Sequence, residues 1–176
     1  EEIGLLRELD SLGKLKINIY AMLQPTEENM EGYVMNGPFR KGHLHVRSVK
    51  FYADGALGSR GALLKEHYSD MEGQQGILVT PVESLETWYN DLYNLQYQVS
   101  THAIGDSANK LVLDLYASVL REYNDFRWRI EHAQVVSPGD VKMFGDYSII
   151  PAVNTTHATS DMYWASDRIG DERMKG

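Results

Sequence analysis

Strand-like and helix-like segments take turns along this chain, and that alternation limits the available folds more than any other feature. LKINIYAML (15–23), LHVRSVKFYAD (44–54), YQVSTHA (97–103), RWRIEHA (127–133) and YSIIPAV (147–153) read as strands. A helix, EEIGLLRELDSLG, precedes the first of them, and its Gly13 suits a helix C-terminus. In TPVESLETWYNDLYNL, Thr80 is placed to cap, Pro81 suits the first helical position and Glu83 completes a capping box. Leu85, Trp88, Leu92 and Leu95 then repeat at helical spacing. Asp106 is placed to cap SANKLVLDLYASVLREY, where Leu111, Val112, Leu115 and Val119 form an apolar stripe. Ser137-Pro138-Gly139-Asp140 opens a further short helix by the same logic, and Asn154 to Asp161 reads as a polar loop. Strands joined by helical crossovers imply a parallel sheet. A Rossmann-type sheet and a barrel both fit that order. Polar residues gathered at the C-terminal ends of successive strands favour the barrel.

The chain has 176 residues, enough for one domain with a core. A complete α/β barrel usually needs about 250. The sequence opens on Glu1 and stops at Lys175-Gly176 without an obvious closing element, as expected of an internal piece of a longer protein. A net charge of −8 argues against a nucleic-acid partner. No apolar run reaches the length of a membrane span, and no signal peptide is visible. The absence of cysteine removes disulfides and thiolate ligands and leaves the compartment open. Any metal must therefore use His, carboxylates or a modified side chain. The partner expected is a small-molecule substrate, and a homo-oligomer is left open.

The chemistry-bearing residues fall at strand ends. Lys50 and Asp54 end one strand, His102 the next, His132 the one after, and His157 lies just beyond the last. In a parallel barrel those ends converge on one mouth, where active sites are built. Two neutral imidazoles from neighbouring strands suit zinc or a similar divalent ion. The plainer alternative is that each histidine is a hydrogen-bonded structural residue, and that Lys50 snorkels or pairs at the surface. The eye-catching His43-Leu44-His45 could itself hold zinc, but it lies at the N-terminal end of its strand, away from the mouth. Unbroken alternation puts Ser48, Lys50, Tyr52 and Asp54 on one face and His43, His45, Arg47, Val49 and Phe51 on the other. A bulge would reverse the facing without changing the distance along the strand.

VKFYADGALGSRGA, STHAIGD, RIEHAQ and THATSD, in this order, resemble the amidohydrolase superfamily, specifically its amidohydrolase-3 branch. The resemblance runs from KLKINIYAML to GDERMKG. It implies a (β/α)8 TIM barrel of which this chain is the central segment, roughly strands three to seven with their helices. It implies a hydrolase of non-peptide amide or related C–N bonds that uses metal-activated water and one or two divalent ions, zinc first among them. His102 and His132 would be metal ligands, and Lys50 the strand-end lysine that family members can carboxylate to bridge two metals. A carbamate suits that role because it offers hard oxygens where an ammonium would repel the ions. The family's His-x-His strand and its strand-eight aspartate are both missing here, so no catalytic residue is assigned within the segment and the isolated piece is expected to be inactive.

Other residues carry weaker expectations. Asp54, Ser59, Arg60 and His157 are expected on the substrate side, with Ser59 and Arg60 in the loop Gly55–Gly61. Asp106 would act as an acceptor beside His102, unless it is a plain N-cap. Alternation turns Glu131 away from the metal side toward a structural salt bridge. Asp161 follows the seventh strand and is not equated with the missing aspartate. The competing readings are a non-catalytic or degenerate α/β domain with structural histidines, and a zinc module built on His43 and His45.

Overall fold

The computed structural model describes residues 2–174; Glu1, where the first predicted helix begins, and Lys175-Gly176, where the family resemblance ends, lie outside the described residues. Helix α1 (Glu2–Ser11) ends as its sequence predicts: Gly13 takes a left-handed φ of 65° and donates to Asp10 O at 2.9 Å. There follow β1 (Ile19–Leu23), α2 (Glu27–Gly32), a 3-10 turn (Val34–Asn36), β2 (Phe39–Lys41) and β3 (Leu44–Tyr52). Then come α3 (Val82–Asn94), β4 (Gln98–Ala103), α4 (Asp106–Leu120) and β5 (Arg129–His132). A 3-10 turn (Pro138–Asp140) leads into α5 (Val141–Asp146), followed by β6 (Ile150–Val153), α6 (His157–Ser160) and α7 (Ala165–Arg173). The short α2 and β2, and α7 at the end, carry too little periodicity to be read from sequence.

The parallel strands lie in the order β1-β3-β4-β5-β6, and β2 pairs antiparallel with β3. Spatial order thus follows chain order without reversal. A doubly wound sheet must reverse at a switch point. A singly wound one curls into a barrel, so these five strands form an arc of one. Helices cover the outer face in one continuous core that joins Val46, Val49, Phe51, Val99 and Ile130 to Leu85, Tyr89, Leu92, Val112 and Tyr116. Trp128, fully buried, donates its indole N–H to Tyr97 O at 3.0 Å. On α3 the fully buried aromatic is Tyr89, while Trp88 of the predicted stripe is only partly covered. On α4 the buried face widens to include Leu113, Tyr116 and Leu120, and Leu111 is partly covered. No helix among the described residues is long and apolar enough to cross a membrane.

Three predicted caps are replaced by longer-range bonds. Thr80 donates to Tyr52 O at 2.7 Å, and Pro81 occupies the N-cap of α3 with no side-chain bond. The Asp106 carboxylate accepts from Lys65 N–H at 2.9 Å, so Gly105 becomes the α4 N-cap. Ser137 does precede its helix, but its Oγ accepts from Lys65 Nζ at 2.8 Å. For Asp106 and Ser137 the partner is Lys65 on the loop after β3, and for Thr80 it is Tyr52, the last residue of β3. The stretch read as a polar loop from Asn154 to Asp161 also holds the single-turn helix α6.

Strand β3 contains the bulge that sequence alternation could only allow for. Its partners step from Ala21–Val46 to Met22–Ser48, leaving Arg47 as an extra residue. The core-facing set therefore reads Leu44, Val46, then Val49 and Phe51. His45 consequently shares the inner face with Lys50, contrary to unbroken alternation, although it stays at the far end of the strand beside Tyr20.

The core is rich in buried phenols, which yields a pH prediction. Burial pushes the Tyr68 and Tyr97 hydroxyls up to about 12, and it also raises Tyr89 and Tyr116. These groups keep their protons in the folded state after the unfolded chain, with tyrosines near 10, has lost them. Stability is then fully present below pH 10 and falls as pH rises toward 12. Chemical denaturation of the full-length protein across that range should show the fall, and Tyr97→Phe should shallow it. A slope identical in that variant would count against the assignment.

Candidate active site at the strand ends

Lys50 sits near the C-terminal end of β3, half-buried, with Nζ 3.2 Å from Phe51 O and 4.2 Å from the centre of the Tyr52 ring. On the next strand His102 is cross-strand partner to Tyr52, and their rings lie 5.6 Å apart. On the strand after, His132 pairs with Ala103, which by alternation would turn its ring toward the helices. The backbone prevents this. His132 has a φ of 75° and Ala133 a φ of 43°, both left-handed and both costly for residues with a Cβ, on the order of 1–2 kcal/mol each. The imidazole swings back over the strand ends, and its ring centre comes to 4.6 Å from that of His102. Glu131, expected on the far side, pairs across with His102 instead and shares the inner face; the salt bridge expected of it is present, to Arg129 at 2.7 Å.

The loop above this cluster hangs on Asp54. Expected on the substrate side, its side chain is fully covered and its carboxylate accepts from the backbone N–H groups of Leu63 (2.8 Å), Ile104 (2.9 Å) and Gly105 (2.8 Å). Burial pushes this carboxyl up to about 6, while the N–H donors of Gly105, Ile104 and Leu63 hold it back, so it is ionised at neutral pH. Its Oδ1 lies 3.5 Å from His102 Nε2, which is also 3.4 Å from Gly55 O. Gly105 is sterically required here, since a Cβ would stand 2.0 Å from Leu63 O. Arg60 is held by Asp70 through two bonds of 2.8 and 3.0 Å, and Ser59 bonds to Ala56 O at 3.2 Å. Asp106 lies on the same network through Lys65, whose ammonium also reaches Asp140 at 2.9 Å. Asn109 braces it from below, its amide NH₂ lying 3.0–3.3 Å from the carbonyl oxygens of Ala103, Ile104, Gly105 and Val135, which share its two hydrogens. Helix α7 closes the layer with Ala165 and Ile169 against Leu57, Leu64 and Val135.

His157 stands on the other side of His132, Nε2 to Nδ1 at 3.5 Å, and its own Nδ1 is 2.9 Å from Asp161 Oδ2. Both residues line a cavity of about 350 Å³ together with His132, Gln134, Asn154 and Met162. Desolvation pushes the Asp161 carboxyl up, but hydrogen bonds from Ser160, His157 and Gln134 outweigh it and hold it low. Sequence reading passed over Asp161 as a partner. The i, i+4 spacing from His157 was the available signal, hidden because the segment read as loop.

Desolvation sets the charge states of the inner cluster. It lowers His102 to about 4, with His132 and Lys50 adding to the effect against the Gly55 carbonyl. It lowers His132 as well, reinforced by Lys50 and His157. Lys50 falls to about 8, with Glu131 opposing and Arg129 assisting. Two neutral imidazoles beside a lysine that can shed its proton are the donor chemistry a divalent cation takes. Among the described residues no three His, Cys, Asp or Glu side chains are grouped to hold a metal. The donors present thus fit part of a metal shell.

Comparison with known proteins agrees with this geometry. The model of the family described as "Amidohydrolase family" matches residues 1–176. A crystal structure of an uncharacterized metal-dependent hydrolase from Pyrococcus furiosus superimposes with a TM-score of 0.88 at 31% identity, over 98% of this chain and 36% of that one. Protein LONG AFTER FAR-RED 3 of Arabidopsis thaliana is 38% identical over 132 residues, which is 74% of this chain and 23% of the relative. The Bacillus subtilis (strain 168) protein named "Putative amidohydrolase YtcJ" is 33% identical over 141 residues, or 80% of this chain and 26% of that protein. The chain therefore spans about a quarter of the length of these curated relatives. With an arc of parallel strands, histidines at two adjacent strand ends and a family match over its whole length, the chain belongs to the amidohydrolase family.

Proposed function

We propose that this chain is the central part of a metal-dependent hydrolase acting on a non-peptide amide or related C–N bond. The observation that carries the reading is the 4.6 Å approach of the His102 and His132 rings from neighbouring strand ends, next to Lys50 on the strand before. His102 and His132 would hold a divalent cation, zinc by donor preference, and Lys50 would join them as the free amine or its carbamate. A cation bound there supplies Lewis acidity, which polarises a carbonyl and makes hydroxide accessible near neutral pH. The chain's own contribution is to keep both imidazoles unprotonated by burial and to hold the loop that carries Gly55 against His102 through Asp54. The cavity beside His157 offers room for a substrate group against Leu57, Val153 and Met162. The 176 residues alone are expected to bind metal weakly and hydrolyse nothing, because a single lysine and two histidines leave the shell incomplete.

Metal analysis by mass spectrometry on the full-length protein tests the reading. Stoichiometric divalent metal is expected in the wild type and should be lost in His102→Ala and His132→Ala. Wild-type protein free of metal would sink the proposal in favour of structural histidines. Loss confined to a His43→Ala/His45→Ala variant would move the site to the other end of the strand. Amidase activity from the isolated segment would refute the expectation that it is inert.

A further inference from the structure

We propose that His157 and Asp161 form an outer chain that orients His132, so that His132 meets the metal through Nε2. This rests on the reading of His132 as a ligand. It moves His157 from the substrate side to a positioning role and gives Asp161 a role of its own.

The bonding pattern carries the argument. A carboxylate only accepts, so the 2.9 Å contact between Asp161 Oδ2 and His157 Nδ1 puts the proton on Nδ1. A ring with one proton then has a bare Nε2. That atom lies 3.5 Å from His132 Nδ1, and the pair is favourable only if His132 Nδ1 carries the proton. On that tautomer the remaining lone pair of His132 is on Nε2, the nitrogen offered to a cation, and the Asn154 side chain is a further hydrogen-bond partner of the ring. At 3.5 Å the contact steers the ring more than it binds it.

The chain is also closed on itself. Gln134, two residues after His132, donates to Asp161 Oδ2 at 2.8 Å, and Ser160 donates to Oδ1 at 2.7 Å. Asp161 is thereby tied both to the strand end that bears His132 and to the histidine that faces it. Such a ring of bonds is what a left-handed His132 needs, since a strained conformation persists only where its surroundings over-determine it. Outer partners of metal-binding histidines fix the tautomer and ring orientation in this way.

Zinc affinity of the full-length protein, measured by chelator competition, tests the proposal. The variants are H157A, H157Q, D161A, D161N and the H157A/D161A double. Single alanine variants are expected to bind zinc about 10- to 100-fold more weakly. Because Asp161 and His157 act within one bonded network, the double variant should lose much less than the two single losses combined. Cobalt-substituted protein should show a changed d–d absorption spectrum in the same variants. Wild-type zinc affinity in H157A, within threefold, together with a raised KM would make His157 a substrate contact and overturn the proposal. Additive losses in the double variant would also overturn it. Where the alanine forms do not fold, H157Q and D161N keep the bulk and carry the same comparison. A wild type that binds no zinc overturns the metal-site reading itself, which is distinguishable from a zinc-loaded wild type whose H157Q affinity is unchanged.

Discussion

Asp54→Ala should leave the full-length protein largely unfolded or aggregated. The side chain removed is fully covered and satisfies three backbone N–H groups, those of Leu63, Ile104 and Gly105, at 2.8–2.9 Å. Each buried donor left without a partner costs roughly 1–3 kcal/mol, so the sum for three is roughly 3–9 kcal/mol. That is comparable to the whole stability of a typical domain, about 5–15 kcal/mol. Asp54→Asn should be milder, about 2–3 kcal/mol, because its amide oxygen still accepts while its NH₂ group opposes a donor. Soluble yield and the thermal midpoint check the order wild type, Asn, Ala. An alanine variant that melts like wild type would show that other groups or water satisfy those donors. The effect is expected to reach the chemistry too, because the same carboxylate holds the loop from β3 beside the turn after β4.

Turnover should collapse in His102→Ala and in His132→Ala, each by on the order of 10³-fold in kcat/KM, or about 4 kcal/mol of transition-state stabilisation. The two rings are 4.6 Å apart, and deleting either removes one of the two imidazoles that would hold the cation at these adjacent strand ends. The double variant should be scarcely worse than either single one, since a site lost once cannot be lost again. His45→Ala is the control: it shares the inner face but lies at the opposite end of β3, and should keep near-wild-type rates. A panel of non-peptide aryl amides, read by release of the amine, serves as the assay. Retention of activity in either strand-end variant would remove that histidine from the site.

How much of this was legible beforehand depends on distance along the chain. The strand–helix alternation could be read, and so could the position of Lys50, His102 and His132 at strand ends, because hydrophobic periodicity is local. Helices with strong stripes, α3 and α4, were legible, α3 to within two residues at each end, whereas α4 stops at Leu120, three residues short of the predicted segment's end at Tyr123. The weak elements α2, β2 and α6 were not, being six residues or fewer with no repeat to detect. Caps failed for a related reason. Thr80, Asp106 and Ser137 carry the right side chains in the right places, but partners far away in sequence claimed them.

By itself, then, the sequence determined the order of the five parallel strands and the two long helices between them, the family and the set of strand-end residues, all of which follow from local pattern and motif. Only the tertiary structure decided which way those residues face. The extra residue Arg47 in β3 turned His45 onto the side of Lys50, and the left-handed turn at His132 brought its ring to His102. It alone showed Asp54 saturated by donors nine to fifty-one residues away and Asp161 bonded to His157 and Gln134. The physical reason is common to all four. Facing and hydrogen-bond partners are set by neighbouring strands and loops, which packing brings together and linear spacing does not record.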